Sequence, residues 1–223
     1  MRSKLLPARL YGILDLGYTE PENLEFTAKQ MIAGGIDVLQ LRAKNCSLEN
    51  IEKWAKQILP LCRDGDVPFF INDHPEIAVS VGTDGVHVGQ DDLTMDEVRA
   101  VTGDEMLVGR STHSVEQAAA AAADPRTDCI GFGPLFATPT KPDYTPIGTR
   151  EIQAVHTAHP GLPIFCIGGI KKENLPEVIA AGARRVVIVS GIRQAPDIEK
   201  YVNQSKELIA KLLETSSVPA DTN

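Results

Sequence analysis

Polar and apolar residues alternate in the segment LQLRAK, residues 39–44. Successive side chains of a β-strand point to opposite faces, so the polar residues are expected to share one face and the apolar residues the other. The polar set is Gln40, Arg42 and Lys44, and the apolar set is Leu39, Leu41 and Ala43. The segment therefore directs two cations and an amide to the same side at the end of a strand.

The two cations of this segment need negative partners, because a buried charge without one costs several kcal/mol. One explanation is structural, since Arg42 and Lys44 could pair with carboxylates of the protein such as Asp73. The functional explanation is that they bind a polyanion. Lys141, in a distant loop, would then supply a third cation.

Two aspartates, Asp73 and Asp92, each come just before a predicted helix. Either could be a helix N-cap, which is a common position for aspartate. Beside three cations they also suit Mg²⁺, which is bound by carboxylate and phosphate oxygens and keeps several waters. The combination predicts one Mg²⁺ ion that holds a diphosphate, whereas Asp91 is expected to be solvated.

Glycine and serine follow the last two predicted strands, as Gly168-Gly169 and Ser190-Gly191. These residues could simply form turns. They could also form a pocket in which backbone N–H groups bind a second, separate phosphate. The preceding loop, residues 134–147, contains four prolines and is long for a compact domain, so we expect it to be functional, for example as a lid.

Ser111 and His113 raise the alternative of a hydrolase. The segment GRSTH, residues 109–113, does not match the G-x-S-x-G nucleophile motif, and neither an orienting acid nor an oxyanion hole can be identified. His87, inside GVHVG, is expected to be a packed or hydrogen-bonded residue rather than a base.

Eight short apolar runs alternate with amphipathic segments. The predicted strands are residues 10–15, 37–42, 68–72, 85–89, 106–111, 129–133, 163–168 and 185–190. The predicted helices are residues 22–34, 47–62, 75–81, 94–102, 114–123, 148–158, 172–181 and 197–214. Repeated βα units predict parallel strands with right-handed crossovers, and eight of them favour a single (β/α)₈ TIM barrel over an open doubly wound sheet.

The barrel is expected to occupy residues 1–215 as one domain, followed by a disordered tail at residues 216–223. In such barrels the chemistry takes place at the carboxyl ends of the strands. All of the candidate residues lie at those ends or in the loops that follow them, so the fold would bring them to one mouth.

Composition limits the partners of the chain. It has 223 residues and a net charge of −8, which disfavours binding to nucleic acid or to an anionic membrane. Four widely spaced cysteines, no signal peptide and no long apolar run predict a cytoplasmic protein with reduced thiols. The oligomeric state is left open, and a homo-oligomer is compatible with the sequence.

Seven segments, in this order, resemble motifs of the thiamine-phosphate synthase family, and the resemblance extends from about Leu10 to beyond Ile192. The segments are LQLRAK, FINDH, DGVHVGQDDL, VGRSTH, GFGPLFATPTKP, IGGI and VVIVSGI. Ala43 and Gly191 depart from the common pattern, at positions that are not expected to carry chemistry.

The resemblance implies an enzyme that joins hydroxymethylpyrimidine diphosphate to thiazole phosphate, or to its carboxylated form, and releases diphosphate. It implies a set of residues that hold the pyrimidine diphosphate: Gln40, Leu41, Arg42, Ala43, Lys44, Asn72, Ser111 and Lys141. Of these, Arg42, Lys44, Ser111 and Lys141 would be catalytic. The thiazole phosphate would bind Thr138, Pro139, Thr140, Gly169, Val189 and Ser190, and Mg²⁺ would bind Asp73 and Asp92.

A paralogue of the same barrel remains the alternative within this resemblance. Thiazole tautomerase-like and regulatory relatives bind thiazole phosphates but need no diphosphate site. The complete set of Arg42, Lys44, Asp73, Asp92 and Lys141 argues against them.

Overall fold

The computed structural model describes residues 2–138 and 144–216. Eight parallel strands form a closed barrel in the order of the sequence, and β1 pairs with both β2 and β8. The strands are β1 (Leu10–Asp15), β2 (Val38–Arg42), β3 (Phe69–Asn72), β4 (Gly85–Val88), β5 (Leu107–Thr112), β6 (Cys129–Phe132), β7 (Ile164–Cys166) and β8 (Val186–Ile188). The predicted (β/α)₈ barrel is confirmed, and the alternative of an open sheet is wrong.

Helices follow the strands on the outside of the barrel. They are α1 (Leu24–Ala33), α2 (Leu48–Asp64), α3 (Pro75–Val81), α4 (Met95–Thr102), α5 (Val115–Ala123), α6 (Ile152–Ala158), α7 (Leu175–Ala180), α8 (Ser190–Arg193) and α9 (Ile198–Ser216). Short 3₁₀ segments lie at Arg2–Lys4, Pro21–Asn23 and Lys172–Asn174. The last two form the first turns of helices that the sequence predicted as continuous.

Local sequence signals account for the starts of α2 and α4. Ser47 caps α2 by accepting a hydrogen bond from the backbone N–H of Asn50. At α4, Thr94 and Glu97 form a reciprocal capping box. Each cap satisfies backbone donors that the first helical turn leaves without partners.

Apolar residues fill two layers, one between the strands and the helices and one inside the barrel. The inner layer contains Tyr11, Phe70 and Phe165. The ring of Tyr11 lies 5.9 Å from that of Phe70 and makes an edge contact at 5.2 Å with that of Phe165. These aromatic side chains fill the interior of the barrel toward the amino ends of the strands. Space for a cavity is therefore left at the carboxyl ends.

The eighth strand is shorter than predicted. It ends at Ile188, and Ser190 instead begins α8. The apolar run RVVIVS could not distinguish the last strand residues from the start of a helix, because both are buried here. Similarly, the predicted helix at residues 148–158 begins only at Ile152.

The C-terminal helix α9 runs through Ser216, one residue into the predicted tail, and residues 217–223 lie outside the described part of the chain. The four cysteines all belong to the described ranges, and none of them forms a disulfide. Across residues 2–138 and 144–216, no helix combines the length and the apolar character needed to cross a membrane.

Candidate active site

A cavity of about 930 Å³, including its open mouth, lies at the carboxyl ends of the strands. Four of the residues predicted to hold the pyrimidine diphosphate line this cavity: Gln40, Arg42, Asn72 and Ser111. From the group predicted to hold the thiazole phosphate, it is lined by Thr138, Gly169, Val189 and Ser190. The structure therefore brings these eight predicted residues to one site.

Several predicted residues do not line this cavity. Lys44, Asp73 and Asp92 line a separate pocket, to which Ala43 also contributes. Leu41 is buried in the apolar layer outside the barrel. Pro139, Thr140 and Lys141 lie outside the described residues.

Tyr11 belongs to the cavity wall and was missed by the sequence analysis. Its hydroxyl oxygen accepts a hydrogen bond of 2.8 Å from Nε2 of Gln40. Burial raises the pKa of Tyr11 well above its usual value of 10, so the phenol stays neutral and keeps a proton to donate. The only available signal was the position of Tyr11 at the start of a predicted strand.

Arg42 is paired with Asp15, at the end of β1. The distance from Nη1 of Arg42 to Oδ2 of Asp15 is 2.6 Å, and the Asp15 side chain is only 3% exposed. The structural explanation for Arg42 thus holds in part, but with a carboxylate that the sequence analysis did not consider. Arg42 still reaches the cavity wall.

Lys44 forms an ion pair with Asp73. Burial is the main reason why the pKa of Asp73 is raised; the nearby carboxylate of Asp92 adds to the rise, and Lys44 opposes it. Asp73 also has a left-handed backbone, with a φ of 66°. Such a conformation is uncommon for aspartate and is often found at functional sites.

Neither Asp73 nor Asp92 is a helix N-cap, so the capping role that the sequence allowed for each is wrong. The N-cap of α3 is His74 and that of α4 is Thr94. Oδ2 of Asp92 accepts a hydrogen bond of 2.7 Å from the backbone N–H of Gly89, so this carboxylate braces the β4–α4 loop. The two aspartates face each other across the ends of β3 and β4.

No cluster of three His, Cys, Asp or Glu side chains suited to a metal ion occurs within the described residues. The pair of Asp73 and Asp92 nevertheless fits Mg²⁺ in one respect. Two carboxylates within hydrogen-bonding reach of each other repel unless a proton or a cation lies between them. The remaining ligands would have to come from phosphate oxygens and water, which is the usual arrangement for Mg²⁺.

Ser111 contacts His87 and not His113. Nε2 of His87 lies 3.1 Å from Oγ of Ser111. His113 instead directs Nδ1 to the backbone carbonyl of Gly133 at 2.5 Å. The Ser111–His113 pair required by the hydrolase hypothesis is therefore not formed, and the expectation of a hydrogen-bonded His87 is confirmed.

The glycine-rich end of β7 approaches the β6–α6 loop closely. A Cβ atom on Gly169 would lie 2.7 Å from Cβ of Phe136 and 2.9 Å from the carbonyl oxygen of Ala137. Ser190, 8% exposed, starts α8 on the neighbouring strand end. This half of the cavity offers backbone groups and a hydroxyl but no charged side chain among its described lining residues.

The mouth of the barrel thus has a charged half and a neutral, glycine-rich half. In the charged half, Arg42 lines the cavity, while Lys44, Asp73 and Asp92 line a separate pocket. A (β/α)₈ barrel with cations, adjacent carboxylates and bare backbone at one mouth has the features of an enzyme that binds phosphorylated small molecules. The chain belongs to the thiamine monophosphate synthase family, whose family model matches residues 10–192.

Individual relatives agree with this assignment over nearly the whole chain. The chain is 37% identical to the thiamine-phosphate synthase of Shouchella clausii, with 94% of this chain and 99% of that protein covered. It is 41% identical to that of Pelotomaculum thermopropionicum, with 94% and 95% covered. Among solved structures, the thiamine phosphate pyrophosphorylase from Pyrococcus furiosus superimposes with a TM-score of 0.83 at 27% identity, covering 95% and 98% of the two chains.

Proposed function

We propose that this protein is a thiamine-phosphate synthase. It condenses hydroxymethylpyrimidine diphosphate with thiazole phosphate, or carboxythiazole phosphate, to form thiamine phosphate and diphosphate. The observation that carries the proposal is the match over residues 10–192, joined to a barrel mouth whose charged and glycine-rich halves suit two phosphorylated substrates.

The charged half of the mouth is assigned to the pyrimidine diphosphate. Arg42 and Lys44 neutralise the diphosphate, and Lys141 is proposed to join them from the β6–α6 loop. Gln40, Asn72 and Ser111 line the same wall and supply neutral hydrogen-bonding groups for the pyrimidine and the diphosphate.

Asp73 and Asp92 would hold one Mg²⁺ ion next to Lys44. The ion would neutralise charge on the departing diphosphate. Lys44 is already paired with Asp73, so cation and carboxylate are adjacent before any substrate arrives. This arrangement supports a diphosphate site in which Lys44 and a metal held by Asp73 and Asp92 would both offset the negative charge.

The reaction we infer needs no protein nucleophile. The amino group of the pyrimidine stabilises the carbocation that remains when the diphosphate leaves, and the thiazole nitrogen then attacks that carbocation. The protein must stabilise the charge that develops on the leaving group, and preorganised cations do this most effectively in a site shielded from water. Arg42, with a side chain 15% exposed, fits that role.

The glycine-rich half is assigned to the thiazole phosphate, through Thr138, Gly169, Val189 and Ser190, with Pro139 and Thr140 proposed to complete it. Gln40, Arg42, Asn72 and Ser111 share one cavity with the glycine-rich half, as transfer between the substrates requires, whereas Lys44, Asp73 and Asp92 line a separate pocket. We further propose that the enzyme acts on these small molecules in the cytoplasm, whether as a monomer or as a homo-oligomer.

A tautomerase-like or regulatory paralogue is the second candidate. It would need the thiazole phosphate half alone, and the paired Lys44 and Asp73 beside Asp92 would then have no purpose. The deciding experiment is incubation of the protein with both substrates, with and without Mg²⁺, followed by detection of thiamine phosphate. Product that forms only with Mg²⁺ is expected; absence of product under both conditions would reject the proposal.

A further inference from the structure

We propose that Asp15 is a positioning residue that orients Arg42 toward the diphosphate. The inference rests on the proposed function, because it gives Arg42 a diphosphate to bind. Among the described residues that line the cavity, Arg42 is present and Asp15 is not. Asp15 would therefore act through Arg42 and not by touching the substrate.

The geometry fixes Asp15 firmly. Oδ2 accepts the 2.6 Å bond from Nη1 of Arg42, while Oδ1 accepts a 2.8 Å bond from the backbone N–H of Gly17. Asp15 and Arg42 are also register partners on the adjacent strands β1 and β2. Both side chains consequently start at the same height in the barrel, and the carboxylate can meet the guanidinium without a change of backbone.

An arginine held in this way has donors to spare. Its planar guanidinium carries five N–H groups in a rigid fork, and the bond to Asp15 uses only Nη1. Ordering a free arginine side chain costs rotamer entropy. Asp15 removes much of that cost before the diphosphate binds, which is the advantage of a preorganised site.

The second cation of the site is held differently. Lys44 is 47% exposed and its partner Asp73 is the proposed metal ligand, so that pair is expected to separate when the metal and the substrate bind. Asp15 is 2% exposed, and its two carboxylate oxygens are bonded to Arg42 and to Gly17. We therefore expect the bond between Arg42 and Asp15 to persist in the substrate complex.

A second role for Asp15 would give the opposite result. If the carboxylate merely offset the charge of Arg42, its removal would leave a stronger positive field and diphosphate would bind more tightly. If Asp15 orients Arg42, its removal would weaken diphosphate binding even though the positive field becomes stronger. The sign of the change separates the two roles.

The test is the affinity for inorganic diphosphate with Mg²⁺, measured by calorimetry on the full-length chain. The variants are Asp15→Ala, Asp15→Asn, Arg42→Ala and both double variants that combine Arg42→Ala with a change at Asp15. We expect Asp15→Ala to weaken binding about tenfold and Asp15→Asn about threefold, since an amide oxygen can still accept the bond. In the Arg42→Ala background, neither change at Asp15 should weaken binding further.

Steady-state kinetics supply the readout that a general loss of structure would not reproduce. The KM for the pyrimidine diphosphate should rise in Asp15→Ala, while the KM for the thiazole phosphate stays unchanged. Thermal unfolding checks that each variant is folded, and the milder Asp15→Asn carries the test if the alanine variant is not.

Tighter diphosphate binding in the Asp15 variants, or losses that add to that of Arg42→Ala, would overturn the inference. A coupled Asp15–Arg42 effect in a protein that makes no thiamine phosphate would reject the proposed function and leave the positioning role standing. A wild-type chain that binds no diphosphate would refute both.

Discussion

At the scale of single residues, the mouth of the barrel is a set of paired charges. Arg42 is matched with Asp15 and Lys44 with Asp73. Pairing lets a mostly apolar barrel hold cations at its carboxyl end without an uncompensated charge. The pairs differ in exposure, and we expect the more exposed Lys44 to leave its partner more readily than Arg42 when a substrate binds.

Replacement of Lys44 by alanine tests the assignment of the charged half. We expect about tenfold weaker binding of the pyrimidine diphosphate or more, because the charge that faces the leaving group is lost. The affinity for the thiazole phosphate should not change. Titration of each substrate against Lys44→Ala measures both values, with Lys56→Ala as the control, since Lys56 pairs with Glu52 on the surface of α2. If Lys44→Ala weakened only the binding of the thiazole phosphate, the two substrates would have been assigned to the wrong halves of the site.

His156, on α6, is a buried histidine that is expected to make the fold less stable in acid. Burial, with smaller contributions from Arg184 and Arg185, lowers the pKa of His156 from 6.5 to about 4. Between those two values the unfolded chain binds a proton that the folded chain excludes, so stability falls as the pH drops through this window. Across the whole window, the free energy of unfolding falls by an amount on the order of 3 kcal/mol.

Chemical unfolding at pH 7 and at pH 4.5 measures this effect. The stability of His156→Gln should change less between the two pH values than that of the wild type. His159→Gln, at the half-exposed end of the same helix, should keep the wild-type difference. An unchanged pH dependence in His156→Gln would contradict the assignment.

At the scale of elements, the ends of β7 and β8 create the neutral half of the site. Gly169 follows β7 with a φ of 64°, and α8 begins immediately after β8. A left-handed backbone is accessible to glycine at little cost. The strand therefore turns sharply and leaves its backbone uncovered toward the cavity.

Alanine at Gly169 is expected to damage this half selectively. The new Cβ would overlap Phe136 and Ala137, so the β6–α6 loop must shift and the KM for the thiazole phosphate should rise severalfold. Gly103→Ala is a control for an alanine at positive φ without crowding, because Gly103 also has a φ of 64° but no atom within 4 Å of the Cβ that alanine would add. Kinetics and thermal unfolding of both variants separate the crowding at Gly169 from the general effect of alanine at a positive φ. Equal KM values in the two variants would contradict a role for Gly169 in phosphate binding.

At the scale of the whole molecule, the barrel depends on contacts between the N-terminal and C-terminal parts of the chain. β1 pairs with β8, and α9 packs against α1 and α7. Lys206 on α9 also binds the carbonyl of Gly35 and the carboxylate of Asp37, each at 2.7 Å. The C-terminal helix is thereby fastened to the turn that leads into β2.

A polar residue at a buried position of α9 should therefore lower the stability of the whole barrel, which is expected to unfold in one step. Ile209 is fully buried, and Ile209→Asn is expected to cost about 3 kcal/mol or more through lost packing and an unsatisfied amide. Lys211→Asn, on the exposed side of the same helix, should cost less than about 0.5 kcal/mol. Circular dichroism and the fluorescence of Trp54, on α2, should report the same lowered midpoint. Different midpoints from the two probes would show that the barrel is not one cooperative domain.

Much of the fold could be predicted from the sequence because its signals are local. The eight apolar runs and the alternation in LQLRAK depend only on neighbours a few positions away. The rule that parallel barrel strands present their carboxyl ends together then places Arg42, Ser111 and Gly169 at one mouth. The sequence by itself thus determined the architecture and the location of the site.

Only the tertiary structure decided the partners of each charged or polar side chain. Arg42 meets Asp15, 27 positions away, and Ser111 meets His87, 24 positions away. Such contacts depend on the register between neighbouring strands and on side-chain directions within a closed barrel, and no local pattern encodes either. The same holds for Asp73, whose left-handed backbone and proximity to Asp92 arise where the ends of β3 and β4 come together. Side-chain pairing at the mouth follows from the parallel pairing of adjacent strands, which brings segments distant in sequence within hydrogen-bonding distance.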